Sequence, residues 1–263
     1  MSGDIDLALR LLWIGAIAML SNAALAGPEL RDVVEASGAR AAITQPKFAR
    51  HARKRESLMQ GDTIAFYFDI FSPFAYLASH RIDAIAAKHG CRTDWRPVLV
   101  GVTVMKIMGM KPLMDYPLKG SYLRRDAERI ARLWNVPFRF HGLKGHNSLN
   151  AMRAYVWLKQ RDPGQAKQFA KAMYRRLWVD GLDITAIEDC VKEAHKLGID
   201  SDDLRTAVTS DDIKKLLQTS VEGAIGNGVF GVPFFIVDNE PFFGCDHLPM
   251  LEHWLAHRAW DDA

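Results

Sequence analysis

Ser72 is the side chain best placed to do chemistry, because it stands where a buried strand turns directly into a helix. Residues 64–70 are apolar or aromatic apart from Asp69, a composition typical of a central strand covered on both faces. Ser72 and Pro73 follow, a hydroxyl acceptor suited to the N-cap and a proline suited to the first helical position. Because a helix start presents unpaired N–H groups and the positive end of a dipole, a ligand group held at Ser72 is favoured as an anion.

The local pattern leaves two interpretations of Ser72 open. Serine before proline is common at helix starts, so on local grounds alone this residue is a plain N-cap. The apolar residues after it recur at helical spacing and predict one helix that runs down to Gly90: Phe74, Leu77, Ala78, Ile82 and Ile85. Residues 92–99 then predict a second strand, which completes a right-handed βαβ unit.

The long middle part of the chain is predicted to be helical. Amphipathic patterns predict helices over residues 121–134, 147–159 and 165–178. Three more helices are predicted from their start signals: the capping box Thr185-Ala-Ile-Glu188, whose helix would end at Gly198, and the acidic turns at Ser201 and Ser210.

Strand signals return near the C-terminus. Residues 234–237 and 241–243 flank the turn residues Asp238-Asn-Glu240 and predict a hairpin, which Asp246 follows as the cap of a final helix. The predicted fold class is therefore α/β with a large all-helical insertion. Residues 61–100 and 211–263 would form the α/β domain, and residues 101–210 would form the inserted helical domain.

Composition limits the classes of function. The chain has 263 residues, 49% of them hydrophobic, so it can bury a sizeable core. Its formal net charge is +3, and residues 27–60 alone account for this excess with seven Lys/Arg against four acidic residues. The basic residues are therefore in the segment before the folded domain, which we interpret as a solvated linker, and no nucleic-acid partner is expected. The cysteines are odd in number and far apart, which favours a cytoplasmic folded domain: Cys91, Cys190 and Cys245. His141 and His146 lack nearby acidic or thiol partners, so no metal site is expected.

Residues 1–60 are predicted to be an extension that precedes the folded domain. Residues 11–26 form an apolar run that ends in Ala24-Leu-Ala26, the pattern of a signal-peptide cleavage site, although the residues before it are more acidic than basic. Three interpretations stay open: the run directs export, it anchors the protein in a membrane, or the natural start is Met59. We expect no stable membrane partner for the folded domain itself.

The order of elements, with a helix start after the first strand and Val232-Pro233 before the third, resembles the thioredoxin superfamily in its DsbA-like form. The resemblance spans residues 63–257 and implies that the Val232–Pro233 bond is cis and lies beside the first helix. Disulfide oxidoreductases of this kind carry Cys-x-x-Cys where this chain has Ser72-Pro-Phe-Ala75, so dithiol–disulfide exchange at this site is excluded. The remaining hydroxyl can hold a thiolate that arrives on a ligand, which points to glutathione.

Further motifs resemble a narrower family. They occur in the same order over most of the chain: Phe66-Tyr-Phe-Asp-Ile-Phe-Ser-Pro-Phe-Ala-Tyr-Leu-Ala78, Arg96-Pro-Val-Leu99, Lys119-Gly-Ser-Tyr122, Arg124-Arg-Asp126, Asn147-Ser-Leu149, Ala151-Met-Arg-Ala154, Gly228-Val-Phe-Gly-Val-Pro-Phe-Phe235 and Phe243-Gly-Cys-Asp246. Together they resemble the 2-hydroxychromene-2-carboxylate isomerases, whose near relatives are the kappa-class glutathione transferases. The resemblance implies a glutathione-dependent isomerase acting on 2-hydroxychromene-2-carboxylate or a related aromatic enone acid. Two alternatives stay open: a kappa-like glutathione transferase, and a non-catalytic thioredoxin-fold binding module.

The resemblance also implies roles for individual residues. Ser72 would be the catalytic residue that hydrogen-bonds the glutathione sulfur. Val232, just before Pro233, would pair its backbone with the cysteinyl unit as a short β-bridge. Cys245 and Asp246 would hold the γ-glutamyl end, through N–H groups for its carboxylate and the Asp246 carboxylate for its ammonium.

Lys119, Tyr122 and Asn147 would contact a small aromatic substrate by the same resemblance. Simpler interpretations remain for each, since Lys119 and Tyr122 would also suit a helical surface and Asn147 would suit a helix cap. The chain departs from the family at Met110, where asparagine is usual, and at Cys245, where the kappa relatives more often have a small hydroxyl residue. A homodimer is left open.

Overall fold

A four-stranded mixed sheet carries the candidate site. The computed structural model describes residues 62–103, 109, 111, 115–141 and 147–260. The strands are β1 (Thr63–Phe68), β2 (Arg92–Pro97), β3 (Phe234–Val237) and β4 (Glu240–Phe243), in the spatial order β2-β1-β3-β4. β1 runs parallel to β2 and antiparallel to β3, and β3 runs antiparallel to β4. The predicted extension of residues 1–60, including the apolar run 11–26 and Met59, lies outside the described residues.

β1 is covered on both faces, as its apolar composition predicts. Phe66 and Phe68 point to one face, where Trp95, Tyr155 and Tyr174 pack around them. Ala65 and Tyr67, which alternate with them along β1, lie in a second buried cluster on the opposite face. The other members of this cluster come from elsewhere in the chain: Val98, Ala224, Val229 and Phe234. Because both faces of β1 are buried, its sequence shows a continuous apolar run instead of alternation.

The βαβ unit is confirmed, but its helix is interrupted. α1 (Pro73–Ser79) and α2 (Ile82–Lys88) replace the single helix predicted down to Gly90. The N–H groups of His80 and Arg81 donate to the carbonyls of Leu77 and Ala78, three residues back, so the chain tightens and leaves the α-helical path there. Neither glycine nor proline marks this break, and the apolar spacing continues across it.

The helices of the middle part are α3 (Lys119–Trp134), α4 (Leu149–Arg161), α5 (Pro163–Trp178), α6 (Ile187–His195) and α7 (Ser201–Thr209). The capping box predicted at Thr185 is wrong. The Thr185 hydroxyl accepts from the N–H of Asn147, and Glu188 pairs with Arg205, so neither side chain caps α6. α6 ends at His195, and Gly198 follows it with φ of +74°. No helix in the described ranges is both long and apolar enough to cross a membrane.

The C-terminal part agrees with the predicted elements except at one cap. Ser210 caps α8 (Asp211–Gly226), with its hydroxyl accepting from Ile213 N at 3.3 Å. Asp238 and Asn239, with φ of +54° and +64°, form the hairpin turn between β3 and β4. The cap predicted at Asp246 is wrong: this residue lies inside a 3₁₀ turn (Cys245–His247) that precedes α9 (Leu248–His257). The division into an α/β domain and an inserted helical domain stays a prediction.

Candidate active site

Ser72 lies at the junction of β1 and α1 and is almost fully buried. Its hydroxyl oxygen accepts a hydrogen bond from the N–H of Ala75 at 3.2 Å, so it is the N-cap of α1. The same hydroxyl donates to the carbonyl oxygen of Val232, at the longer distance of 3.4 Å. The N-cap interpretation is therefore confirmed, and the second contact ties Ser72 to a segment 160 residues further along the chain.

The Val232–Pro233 bond is cis, as the thioredoxin-like resemblance implied. Pro233 directly precedes β3, and its carbonyl accepts from the N–H of Gly244 at 2.9 Å. β3 pairs with β1, so this loop lies at the same end of the sheet as Ser72. The structure thus brings together Ser72, Val232 and Pro233, which the sequence pattern had associated.

The 3₁₀ turn places Cys245 and Asp246 beside α1, with which the turn is in contact. Cys245 is buried, and desolvation raises the pKa of its thiol to about 12, so this thiol stays protonated and unreactive. Asp246 differs, because its side chain is 73% exposed and has the His247 ring nitrogen Nδ1 3.6 Å away. Of these two side chains, only the carboxylate is available to a ligand.

Lys119 and Tyr122 lie on the exposed side of the first turns of α3. The Lys119 ammonium lies 5.8 Å from the ring centre of Tyr116, and the Arg129 guanidinium carbon lies 5.4 Å from that of Tyr122. Neither contact involves Ser72. Met110, the departure from the family pattern, lies outside the described residues.

Asn147 lies at the start of α4 and is exposed. Its side-chain oxygen accepts from the N–H of Leu149 at 3.1 Å, so it serves the helix start. Its neighbour Ser148 hydrogen-bonds the carboxyl group of Asp69, which lies three residues before Ser72. Asn147 therefore stands next to the turn that carries Ser72, although its own side chain is directed to the helix backbone.

Sequence reasoning missed the groups that hold the turn of residues 69–72, which joins β1 to α1, in place. Tyr174 and Trp178, both on α5, donate from their side chains to the carbonyls of Asp69 and Ile70, at 3.2 and 3.0 Å. The Asp69 carboxyl accepts from the backbone N–H of Phe71 at 2.9 Å. The one available signal was a single acidic residue in the apolar run of residues 64–70, because a buried carboxylate requires hydrogen-bond donors around it. β1 ends at Phe68, so Asp69 and Ile70 lie in the turn that follows the strand and not in the strand predicted from that run.

Burial sets the electrostatics of the site. Desolvation raises the pKa of the fully buried Asp69, while its hydrogen bonds with Ser148, Phe71 and Val100 act in the opposite direction. On the next turn of α1, burial raises the pKa of Tyr76 to about 12, so its hydroxyl stays protonated and donates to the carbonyl of Pro137. The Ser72 hydroxyl differs from that of Tyr76, because it donates only to the carbonyl oxygen of Val232, at a distance of 3.4 Å that is typical of a weak hydrogen bond.

Comparison with known proteins agrees with this geometry. A family model described as the DSBA-like thioredoxin domain matches residues 63–256. The 2-hydroxychromene-2-carboxylate isomerase of Sphingobium xenophagum is 31% identical over 194 residues, which are 73% of this chain and 97% of that protein. Glutathione S-transferase kappa 1 of Homo sapiens is 24% identical over 208 residues, covering 74% of this chain and 92% of that protein.

A solved structure gives the same result for the fold. The structure of a selenomethionine 2-hydroxychromene-2-carboxylate isomerase superposes with a TM-score of 0.68 at 25% identity, and the match covers 74% of this chain and 95% of that one. These findings confirm both the thioredoxin-like fold and the family resemblance. The chain belongs to the DsbA-like thioredoxin family and, within it, to the group of the 2-hydroxychromene-2-carboxylate isomerases and kappa-class glutathione transferases.

Proposed function

We propose that this chain is a glutathione-dependent isomerase of 2-hydroxychromene-2-carboxylate or a related aromatic enone acid. The observation that carries the proposal is the Ser72 hydroxyl, which caps α1 and faces the Val232 carbonyl beside the cis bond. The named activity of the relatives supports the reaction class. The absence of any thiol in Ser72-Pro-Phe-Ala75 argues against disulfide chemistry at this position.

The donor set around Ser72 fits a thiol ligand. The hydroxyl has one proton, which it now gives to Val232 O at 3.4 Å, a distance typical of a weak hydrogen bond. A thiolate is the stronger acceptor, so Ser72 would turn its O–H toward the sulfur. This exchange would free the Val232 carbonyl to accept from a ligand N–H, so the hydroxyl and the carbonyl would change partners together.

Glutathione supplies a thiolate that adds reversibly to a conjugated carbon and leaves again, so a double bond is rearranged while the cofactor is regenerated. Ser72 has the task of favouring the ionised sulfur, because a free thiol has a pKa of about 8.5 and is mostly protonated at neutral pH. α1 has only seven residues, so its dipole assists less than a longer helix would, and the hydroxyl carries more of the effect.

The remaining contacts are proposed by residue. The Val232 backbone would pair with the cysteinyl unit, and Pro233 would keep that backbone turned toward Ser72. At the 3₁₀ turn, Cys245 would contribute its N–H, because its buried thiol is neutral. The exposed Asp246 carboxylate would bind the γ-glutamyl ammonium.

The substrate, a small aromatic acid, would bind next to these glutathione contacts. Lys119 offers an exposed ammonium for the substrate carboxylate. Tyr122 is 56% exposed, and with the Arg129 guanidinium over one face of its ring, the other face would stack on the substrate. Asn147 is the weakest of these proposals, because its oxygen already accepts from Leu149, which directs the side chain to the helix backbone. Its amide N–H groups and the second lone pair of the oxygen remain for a ligand. We propose no nucleic-acid or stable membrane partner, and a homodimer stays open.

A spectroscopic assay tests the proposal. Purified protein is mixed with glutathione and 2-hydroxychromene-2-carboxylate, and both the absorbance of the substrate and the amount of free thiol are followed. We expect interconversion of the substrate with no loss of thiol and no reaction when glutathione is omitted. Turnover at the same rate without glutathione would refute the cofactor assignment.

A kappa-like glutathione transferase is the second candidate, favoured by the similarity to Glutathione S-transferase kappa 1 of Homo sapiens. In that case the thiol is consumed stoichiometrically with the substrate in the same assay. If neither signal changes, a non-catalytic thioredoxin-fold binding module is the better description.

We propose a cytoplasmic location for the folded domain, because all three cysteines are free and buried. Export or membrane anchoring is the alternative if residues 11–26 act as a signal.

A further inference from the structure

We propose that Asp69 is the positioning residue for Ser72, and that its carboxylate sets the place at which the hydroxyl meets the ligand sulfur. This inference rests on the proposed function, because it assumes that Ser72 serves a thiol ligand. Asp69 does not contact the ligand itself. It acts through the short turn of residues 69–72 that joins β1 to α1.

Asp69 is a buried hub of hydrogen bonds, only 2% exposed. One carboxyl oxygen accepts from the N–H of Phe71 at 2.9 Å, within the turn itself. The other accepts from the N–H of Val100 at 2.8 Å, in the segment that follows β2. The carboxyl group also shares a hydrogen bond with the Ser148 side chain at the start of α4. One side chain thus connects the turn to two separate parts of the chain.

The backbone of the turn is held as tightly as the carboxylate. The N–H of Ser72 donates to the carbonyl of Asp69 at 3.0 Å, which closes the turn. The same carbonyl also accepts from the hydroxyl of Tyr174 at 3.2 Å, and the Trp178 ring N–H donates to the next carbonyl, that of Ile70, at 3.0 Å. Tyr174 and Trp178 both lie on α5, so this helix helps to fix the position of the turn that carries Ser72.

The carboxyl group of Asp69 is costly to bury, and in return it supplies acceptors to two backbone N–H groups. Burying a charged group is costly, and an apolar side chain often does as well or better in a protein core. Here the apolar substitute would leave the N–H groups of Phe71 and Val100 without an acceptor. A carboxylate is the side chain that accepts from several directions at once, so it can fix the turn relative to both neighbours.

The Asp69→Asn variant tests this role, because it keeps the size of the side chain and removes one acceptor. The amide nitrogen cannot accept a hydrogen bond, so one of the present donors loses its partner and the turn shifts. A misplacement of about 1 Å can reduce a rate by about a hundredfold, so we expect a fall of roughly tenfold to a hundredfold in glutathione-dependent turnover.

Binding measurements separate positioning from general damage. Calorimetry compares glutathione with S-methylglutathione, which has the same γ-glutamyl and glycine ends but no thiol to interact with Ser72. We expect Asp69→Asn to weaken glutathione binding and raise the pKa of the bound thiol, followed by its ultraviolet absorbance, while the affinity for S-methylglutathione is unchanged. Equal weakening of both ligands, or no change in the thiol pKa, would overturn the proposal.

Ser148 provides a second variant, should Asp69→Asn fail to fold. Ser148→Ala removes one hydrogen bond from Asp69 and does not alter Ser72. It should therefore weaken glutathione binding and raise the pKa of the bound thiol by less than Asp69→Asn does, with the affinity for S-methylglutathione unchanged. Ser148→Thr, which keeps a hydroxyl at this position, should keep the activity of the wild type. Ser79→Ala is the matched control, because Ser79 is an equally buried serine on α1 whose hydroxyl donates to the carbonyl of Tyr76. A loss of activity in Ser79→Ala as large as that in Ser148→Ala would refute the inference.

The two proposals fail in different ways. If Ser72→Ala leaves turnover unchanged, the catalytic role of Ser72 is wrong, whatever Asp69 does. If Ser72→Ala removes turnover while Asp69→Asn and Ser148→Ala retain it, the catalytic site stands and the positioning role is wrong.

Discussion

Removing the Ser72 hydroxyl separates its structural role from its proposed chemical role. In Ser72→Ala the N–H of Ala75 loses its acceptor, and loss of such an N-cap costs about 1 kcal/mol in the free energy of unfolding. The bond to Val232, at 3.4 Å, adds little. Pro73 keeps its place at the first helical position, so α1 should still form. We therefore expect a melting temperature lower by about 2–4 °C.

The expected effect on chemistry is larger than the effect on stability. A hydrogen bond to a charged group is worth about 1.5–3 kcal/mol, and each pH unit of pKa corresponds to about 1.4 kcal/mol. Loss of the hydroxyl should therefore raise the pKa of bound glutathione by about one to two pH units and lower turnover at neutral pH by about tenfold to a hundredfold. Turnover of the variant should recover as the pH rises, because more thiolate forms without help.

A matched variant makes this test specific. Ser210 caps α8 in the same way, accepting from Ile213 N at 3.3 Å while donating to the Ala207 carbonyl at 2.8 Å, and it takes no part in the proposed site. Ser210→Ala should lose a similar amount of stability in thermal melts and keep full turnover. If the two variants lose activity to the same extent, or if the pKa of bound glutathione is equal in wild type and Ser72→Ala, the hydroxyl does not serve the thiolate.

Three further predictions follow from other parts of the chain. A protein that starts at Met59 should fold and keep full glutathione-dependent activity, because the family match begins at residue 63; loss of soluble protein or of turnover would contradict this. Cys245→Ala should keep turnover within about twofold, since its thiol is neutral and its proposed contact is through the backbone; in a thiol-reagent assay on the native protein, rapid labelling of this residue would contradict the burial argument. Arg176→Met should lower the free energy of unfolding in urea by about 1–3 kcal/mol, because Asp189 and Glu193 lose their buried guanidinium partner and keep only the exposed Lys192 and Lys196; a loss below about 1 kcal/mol would show that these lysines or water replace the guanidinium.

The sequence predicted the elements whose cause is local. The strand β1 follows from an apolar run, the cap of α8 from Ser210, and the hairpin from Asp238 and Asn239, which tolerate positive φ. The cis bond at Val232–Pro233 was predicted from family resemblance, and it is confirmed. In each case one short segment, or one recognisable motif, determines the outcome.

The features that the sequence did not predict depend on distant partners. Residues 185–188 match the sequence pattern of a capping box, but the Thr185 hydroxyl accepts from the N–H of Asn147 instead. No local sequence pattern predicts that contact. The interruption after α1 coincides with packing of His80 on Tyr76 and of Arg81 over Trp134, contacts that only the folded chain makes. The role of Asp69 was hidden for the same reason, because its partners lie around positions 100 and 148.

The distance along the chain between the two halves of the site has a consequence for biosynthesis. Ser72 leaves the ribosome 160 residues before Val232, and β3 follows directly after Val232. Until β3 has been made, β1 has β2 on one side and an unpaired edge on the other. An apolar strand edge of this kind readily pairs with another chain. A premature stop codon before Phe234 should therefore yield insoluble aggregates rather than a shorter folded protein, and slower translation near the C-terminus should increase the demand for chaperones.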